Sequence, residues 1–238
     1  MGNLTTKLGA LFFFLAVSFG ATVNAEPLST SALAGVAGRT LTMFTHPTLP
    51  NKLWAGTVHG GLWQSEDAGH LWTSASEQTQ GMAITTIVMH PLNSNMMYAG
   101  SSAGDKETAD QHERGLFKSE DGGKTWSLLK LTNPAVVGES WNQINHVAIS
   151  TTGVLLVSTS DKDLNGFIYR STDGGETWGL FPVYVGSTIG PHNTIHTVKF
   201  DPDNPNGAIF MDKYANVTLS SDGGLTWQLV RKKSSTCK

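Results

Sequence analysis

From residue 39 to residue 231 the chain alternates short apolar runs with clusters of Gly, Asn, Asp and Pro, and nothing in it reads as a long helix. The runs recur in a fixed order. Thr42-Met43-Phe44-Thr45-His46-Pro47 aligns with Thr86-Ile87-Val88-Met89-His90-Pro91, His146-Val147-Ala148-Ile149-Ser150-Thr151 and Thr197-Val198-Lys199-Phe200-Asp201-Pro202. Each block is a short β-branched or apolar strand stopped by a turn, often at Pro. A second run follows each turn: Lys52 to Thr57, Met97 to Ser101, Val154 to Thr159 and Ala208 to Asp212. A third (61–64, 115–118, 167–170, 217–220) leads into a polar octet, and a fourth leaves it. The pattern predicts four units of four strands, A to D, over about 39–79, 80–133, 134–187 and 188–231.

The octet is the clearest repeat. Ser65-Glu66-Asp67-Ala68-Gly69-His70-Leu71-Trp72 returns as Ser119 to Trp126, Ser171 to Trp178 and Ser220 to Trp227, always Ser-x-Asp-x-Gly-x-x-Trp. The four Asp residues, Asp67, Asp121, Asp173 and Asp222, are spaced by 54, 52 and 49 residues. A period of this size belongs to propellers, solenoids or arrays. The chemistry is that of a hairpin turn between strands C and D: Asp bonds the backbone two residues on, Gly supplies positive φ, and Trp72, Trp126, Trp178 and Trp227 each bury a ring and donate an N–H to a nearby acceptor. Every fixed position thus has a structural reason. The fold expected is all-β, a β-propeller of four-stranded blades with these turns on one rim; a solenoid is the alternative.

The octet resembles the Asp-box, or BNR repeat, of sialidases, xyloglucanases, sortilin-type receptors and photosystem II assembly factors. The resemblance implies blades rather than one chemistry, since those families share a scaffold and not an activity. Such families resemble six-, seven- or ten-bladed forms, so four repeats leave three arrangements open: a closed four-bladed ring, an open half that pairs with another chain as a homodimer, or part of a larger propeller.

Ahead of the repeats, Lys7 is followed by the apolar run Leu8 to Phe19 and by Val23-Asn24-Ala25. The run is too short to span a bilayer. It reads as a secretory signal peptide over 1–25, cleaved before Glu26, with 26–38 a linker and 232–238 a tail. Secreted or periplasmic localisation follows, with no membrane span after cleavage. The formal net charge of -3 and the lack of any basic cluster beyond Arg231-Lys232-Lys233 exclude a nucleic-acid partner. One cysteine, Cys237, closes no internal disulfide. The eight histidines form no ligand motif, so neither metal nor cofactor is expected.

Function is expected on the rim opposite the Asp-boxes, where D–A and B–C loops vary. Trp141-Asn142 and His192-Asn193 occupy equivalent strand-A mouths where unit two has Gly81-Met82, and His112 and Arg114 end a long polar loop. Trp141 is expected either to stack on a sugar or peptide or to pack the blade junction. Loop carboxylates Asp105, Asp161 and Asp212, with Asp110, Glu113 and Asp163, are available for a glycosidase pair. Resemblance to specific enzymes argues against one. The sialidase type implies an arginine triad and an Arg-Ile-Pro motif, which four scattered arginines do not supply. The xyloglucanase type implies a catalytic Asp where Ala55-Gly56-Thr57-Val58-His59-Gly60-Gly61 has Val58. The sequence therefore reads as an exported, non-catalytic propeller that binds a protein or carbohydrate through its channel rim; a glycan-active hydrolase using rim carboxylates is the alternative.

Overall fold

A computed structural model describes residues 38–102, 114–141, 143–161, 163–181, 184–185, 188–189 and 194–231. The expected leader, nearly all of the linker, and the tail with Cys237 lie outside these residues. The described chain is all-β apart from one helical turn, Pro134–Val137, and three short 3₁₀ turns. Four antiparallel meanders follow one another. The first is β1 (Thr40–Thr45), β2 (Leu53–Thr57), β3 (Leu62–Ser65) and β4 (Thr73–Ser74). The second is β5 (Ala83–His90), β6 (Asn93–Ser102), β7 (Leu116–Ser119) and β8 (Ser127–Leu128). The third is β9 (Gln143–Ile149), β10 (Leu155–Ser160), β11 (Gly166–Ser171) and β12 (Gly179–Phe181). A small hairpin, β13 (Tyr184–Val185) and β14 (Thr188–Ile189), precedes the fourth: β15 (Ile195–Phe200), β16 (Ala208–Asp212), β17 (Val217–Ser220) and β18 (Gln228–Arg231). These are propeller blades, as the repeats predicted.

Strands carry side chains on both faces, and here both faces are apolar, so each blade needs a neighbour. In the first blade, β2 turns Trp54 and Gly56 toward the second blade and Leu53 and Ala55 away from it. Trp54 and Leu62 then join Ile84, Ile87, Phe117 and Trp126 of the second blade in one buried cluster. The second blade covers the third in the same way, and the third covers the fourth. The core is thus a series of layers between blades, and innermost strands β1, β5, β9 and β15 lie side by side. Thr85 Oγ1 donates to Ile144 O at 2.5 Å, which ties β5 to β9.

The Asp-boxes form four copies of one hydrogen-bonded turn. In the second, Ser119 Oγ donates to Asp121 Oδ1 (2.8 Å) and accepts the N–H of Asp121 (3.4 Å) and of Gly123 (2.9 Å). Asp121 accepts the N–H of Lys124 (3.0 Å) and Thr125 (2.9 Å) and the Thr125 hydroxyl (2.6 Å). Here the expectation needs correcting: Ser bonds the amide two residues on, whereas Asp reaches three and four residues on. Trp126 Nε1 donates to Gly123 O at 3.0 Å. The Nε1 atoms of Trp178 and Trp227 are buried with no hydrogen-bond partner, so the acceptor expected for them is missing.

The second glycine of the box is where one blade touches the blade before it. A Cβ on Gly123 would stand 2.5 Å from Trp54 Nε1, one on Gly175 2.5 Å from Leu129 Cδ1, and one on Gly224 2.6 Å from Leu156 Cδ2. The preceding residue has φ of +72° at Gly122 and Gly174 and +71° at Gly223, but in the first box it is Ala68, at +60°. An L side chain is strained there. Replacing Ala68 by Gly should therefore stabilise the fold by roughly 0.5–1 kcal/mol, the strain relieved less the extra chain entropy. Thermal unfolding checks this, and an unchanged or lower midpoint would contradict it.

The same turns give a pH dependence. The hydroxyl of Thr177, then its N–H, then Ser171 Oγ hold the Asp173 carboxyl at about 2 against an ordinary 3.8. Thr226 holds Asp222 at about 2 in the same manner, hydroxyl first. Because the folded values lie below the unfolded ones, the unfolded chain takes up protons first as pH falls. The contribution is complete above about pH 4 and is lost between there and pH 2. The melting temperature should fall across that window, and the fall should be shallower for an Asp173→Asn, Asp222→Asn chain; parallel curves would refute the assignment.

Candidate functional site

The rim formed by the B–C turns holds the carboxylates that the sequence offered for catalysis. Asp161 accepts the N–H of Asp163 (2.9 Å) and of Asn165 (2.9 Å) with one oxygen and Asn165 Nδ2 (2.8 Å) with the other. Asp212 does the same with Tyr214 (2.9 Å), Asn216 (2.9 Å) and Asn216 Nδ2 (2.7 Å), and is 2% exposed. Both therefore close their own turns. Thr57 and Ser101 hold the matching place in the first two blades, their Oγ accepting the N–H of Gly60 and Gly115. The signal was present in the sequence as Asp-Lys-x-x-Asn, repeated at 161–165 and 212–216. Thr194 links these turns, its hydroxyl donating to Leu164 O (2.9 Å) while its carbonyl accepts the N–H of Lys213 (3.0 Å).

Trp141 ends a 3₁₀ turn (Glu139–Trp141) ahead of β9 and is 2% exposed. Its ring stacks on Tyr169 (centroids 4.3 Å apart, 28° between planes) and meets the edge of Trp178 at 5.2 Å. Tyr169 is fixed in turn by a 2.7 Å hydrogen bond with Ser140 Oγ. The ring is enclosed among the described residues, a geometry that supports junction packing of the two roles open to it. Arg114 lies half-buried ahead of β7. Asp105, His112, Asn142, His192 and Asn193 lie outside the described residues, and so does the greater part of the rim site as expected.

A cleft appears instead on the axis. It has a volume of about 340 Å³ and is walled by all four innermost strands, with Phe44, Val88, Met89, His146, Ile149 and Phe200 among its lining. Its mouth is set by A–B turns that carry Pro91, Thr151 and Pro202. Those turns abut the Asp-boxes: Gly122 N donates to Asn95 O (2.9 Å) and Gly223 N to Asn206 O (2.8 Å). The cleft therefore opens on the Asp-box rim, opposite the one favoured from the sequence. Its residues come from the aligned strand-A blocks.

The blocks are not alike at one register position. Thr42, Thr86 and Thr197 pair across to the second strand at Gly56, Gly100 and Met211, and His146 holds that place in the third blade, opposite Ser158. Burial, reinforced by the positive charge of Lys199, holds His146 below its ordinary 6.5, so the neutral imidazole is favoured. Its Nδ1 is buried with no hydrogen-bond partner. The cleft walls are otherwise mostly apolar, a lining suited to an apolar group met by a few polar atoms. Among the described residues no three His, Cys, Asp or Glu side chains converge on a metal position, and no helix is long and apolar enough to cross a membrane.

Comparison with known proteins adds family and scaffold. The model of the Sortilin-Vps10 family (sortilin, neurotensin receptor 3) matches residues 114–238. A probable oligoxyloglucan-reducing end-specific xyloglucanase of Neosartorya fischeri is 25% identical, over 93% of this chain and 31% of its own length. A xyloglucanase of Acetivibrio thermocellus is 27% identical over 67% of this chain and 19% of its own. The chain thus spans under a third of each relative. The crystal structure of the GH74 xyloglucanase of Xanthomonas campestris matches with a TM-score of 0.59 at 19% identity, over 79% of this chain and 29% of that one. The GH74 enzyme of Niastella koreensis gives 0.56 at 22% identity, over 79% and 28%. At these identities the structural likeness shows the propeller fold alone.

The packing of Trp141 generates a test. Trp141→Ala should destabilise the fold by about 3–5 kcal/mol, the scale for a buried large aromatic. Denaturant melts would show it, and an unchanged midpoint with weakened ligand binding would restore Trp141 to a binding role.

Proposed function

The chain belongs to the Sortilin-Vps10 family, and from that premise we propose that it is an exported, non-catalytic binding propeller that takes an apolar side chain of a protein partner into its axial cleft. The observation that carries the reading is the cleft itself, whose lining is dominated by Phe44, Val88, Met89, Ile149 and Phe200. A sugar face would need several convergent donors and acceptors, whereas a Leu- or Phe-like anchor needs shape and apolar area. The family description, which names a receptor, agrees with a peptide-like ligand. Export rests on the leader read over residues 1–25.

The glycan-active alternative draws on the xyloglucanase likeness. It is disfavoured by Val58, which is 5% exposed where the resemblance calls for a catalytic Asp, and by the engagement of Asp161 and Asp212 in their own turns.

The test is a peptide library panned on the purified chain beside an array of plant oligosaccharides. Peptides with an apolar anchor should be selected, and Val88→Ala and Phe200→Ala should each weaken them about tenfold or more with cooperative unfolding retained. Selection of oligosaccharides instead, or xyloglucan cleavage abolished by Asp161→Asn, would overturn the proposal.

A further inference from the structure

The blades meet in one repeated way, and among the described residues the first and fourth blades each keep one face outside that pattern. Among the described residues there are three junctions, each with its own buried cluster made from the leading face of one blade and the trailing face of the next. The trailing face of the first blade holds a fourth cluster that is only half of such a core: Trp63 and Trp72 packed on Ala55. Their counterparts in the second blade, Phe117 and Trp126, are 1% and 7% exposed, whereas Trp63 and Trp72 are half-buried, and Met43 beside them is 44% exposed. At the other end, Met211 and Leu219 on the leading face of the fourth blade are 37% and 42% exposed.

Register shows that these two faces correspond to the halves of a junction. Cross-strand partners share a face. The pairs Trp54–Gln64, Tyr98–Lys118 and Leu156–Arg170 look toward the following blade, and two of them bond its Asp-box: Tyr98 OH donates to Gly174 O (3.1 Å) and Arg170 Nε to Gly223 O (2.8 Å). In the fourth blade the corresponding pair is Ile209–Leu219, which is wholly apolar.

Side-chain size is exchanged at the same place. Gly56 lies so close to the second blade that a Cβ would come within 2.5 Å of Ile84 O, and one on Gly100 within 2.5 Å of Ile144 Cγ2. The register place of Gly56 and Gly100 passes to Ser158 and then to Met211. The register place of Ile84, Ile144 and Ile195 is held in the first blade by Thr40. Inside the chain a small residue thus lies under isoleucine, whereas on the outer faces of the first and fourth blades the corresponding places are held by Thr40 and Met211.

We propose that these ends are the two halves of a fourth junction, and that a second copy of this chain completes it, with the fourth blade of each copy seated on the first blade of the other. The four blades curl through a half-barrel, so two copies close an eight-bladed ring with two identical head-to-tail junctions and no free face. This goes beyond the ligand reading and does not rest on it.

The test is sedimentation equilibrium of the purified full chain at micromolar concentration. A particle of twice the 25.5 kDa chain mass, less any leader removed, is expected. Met43→Lys and Met211→Lys lie on opposite ends, and each alone should weaken self-association about tenfold or more, because each places a charge in an apolar junction. Each should keep its cooperative unfolding; if Met211→Lys does not fold, Leu219→Lys reads the same face. Mixing the two variants should restore dimers in part, since a mixed pair retains one unaltered junction. A monomeric native chain overturns the proposal, as do growth into open filaments and a dimer indifferent to Met211→Lys and Leu219→Lys. A dimer disrupted by Met43→Lys alone indicates first-blade-to-first-blade pairing and overturns it as well.

Discussion

The contact on which the arc depends is the close approach of an Asp-box to the blade before it. Gly123, Gly175 and Gly224 leave no space for a β-carbon against Trp54, Leu129 and Leu156. The hydrogen bonds of Ser and Asp fix the backbone that carries those glycines, so the turn is built to place bare backbone against a neighbouring side chain. Turn chemistry and blade packing are therefore one constraint. This is why the octet is repeated with its Ser, Asp, second Gly and Trp unchanged while the residues between them vary. The Trp belongs to the same device, since it caps the interblade layer from the box side, as Trp126 does over the cluster that contains Trp54.

That constraint also decides where function has room. Carboxylates and glycines near the boxes are committed to turns, and on the opposite rim Asp161 and Asp212 are committed as well. What remains variable is the inner edge of each blade, where the strands converge on the axis. There the aligned blocks differ in shape and charge: Phe44, Val88, Ala148 and Lys199 share one register position, and His146 stands where the others have threonine. A propeller can change ligand by altering these positions without disturbing a box, which is the physical content of a scaffold shared by families of different activity.

The strands and the boxes were legible because both rest on local chemistry, period-two alternation and turn residues at fixed offsets. The commitment of Asp161 and Asp212 is legible in principle, since Asp-Lys-x-x-Asn occurs twice and makes each Asp the first residue of a turn. Trp141 was harder. Its burial depends on Tyr169 and Trp178, some thirty residues on, and no local pattern states that three aromatic rings will share one junction. The axial cleft was hidden by the repeat itself, because positions that align across blades look structural until the blades are arranged around an axis.

Closure of the ring is the least local property of all. Alternation along a strand says that both faces are apolar, but not how many blades follow or what covers the last one. The structure narrows that through side-chain volume. Inside the chain, Gly56 and Gly100 let the next blade approach until backbone and Ile side chains touch them. A Met at that register position forbids the same approach by a blade bearing Ile at its matching place, since overpacking a filled layer costs about 1–3 kcal/mol. It suits a blade bearing Thr there, as the first blade does at Thr40. The outer faces of the first and fourth blades are thus alike in hydrophobicity and opposite in relief, and that relief is what the proposed junction between two copies rests on.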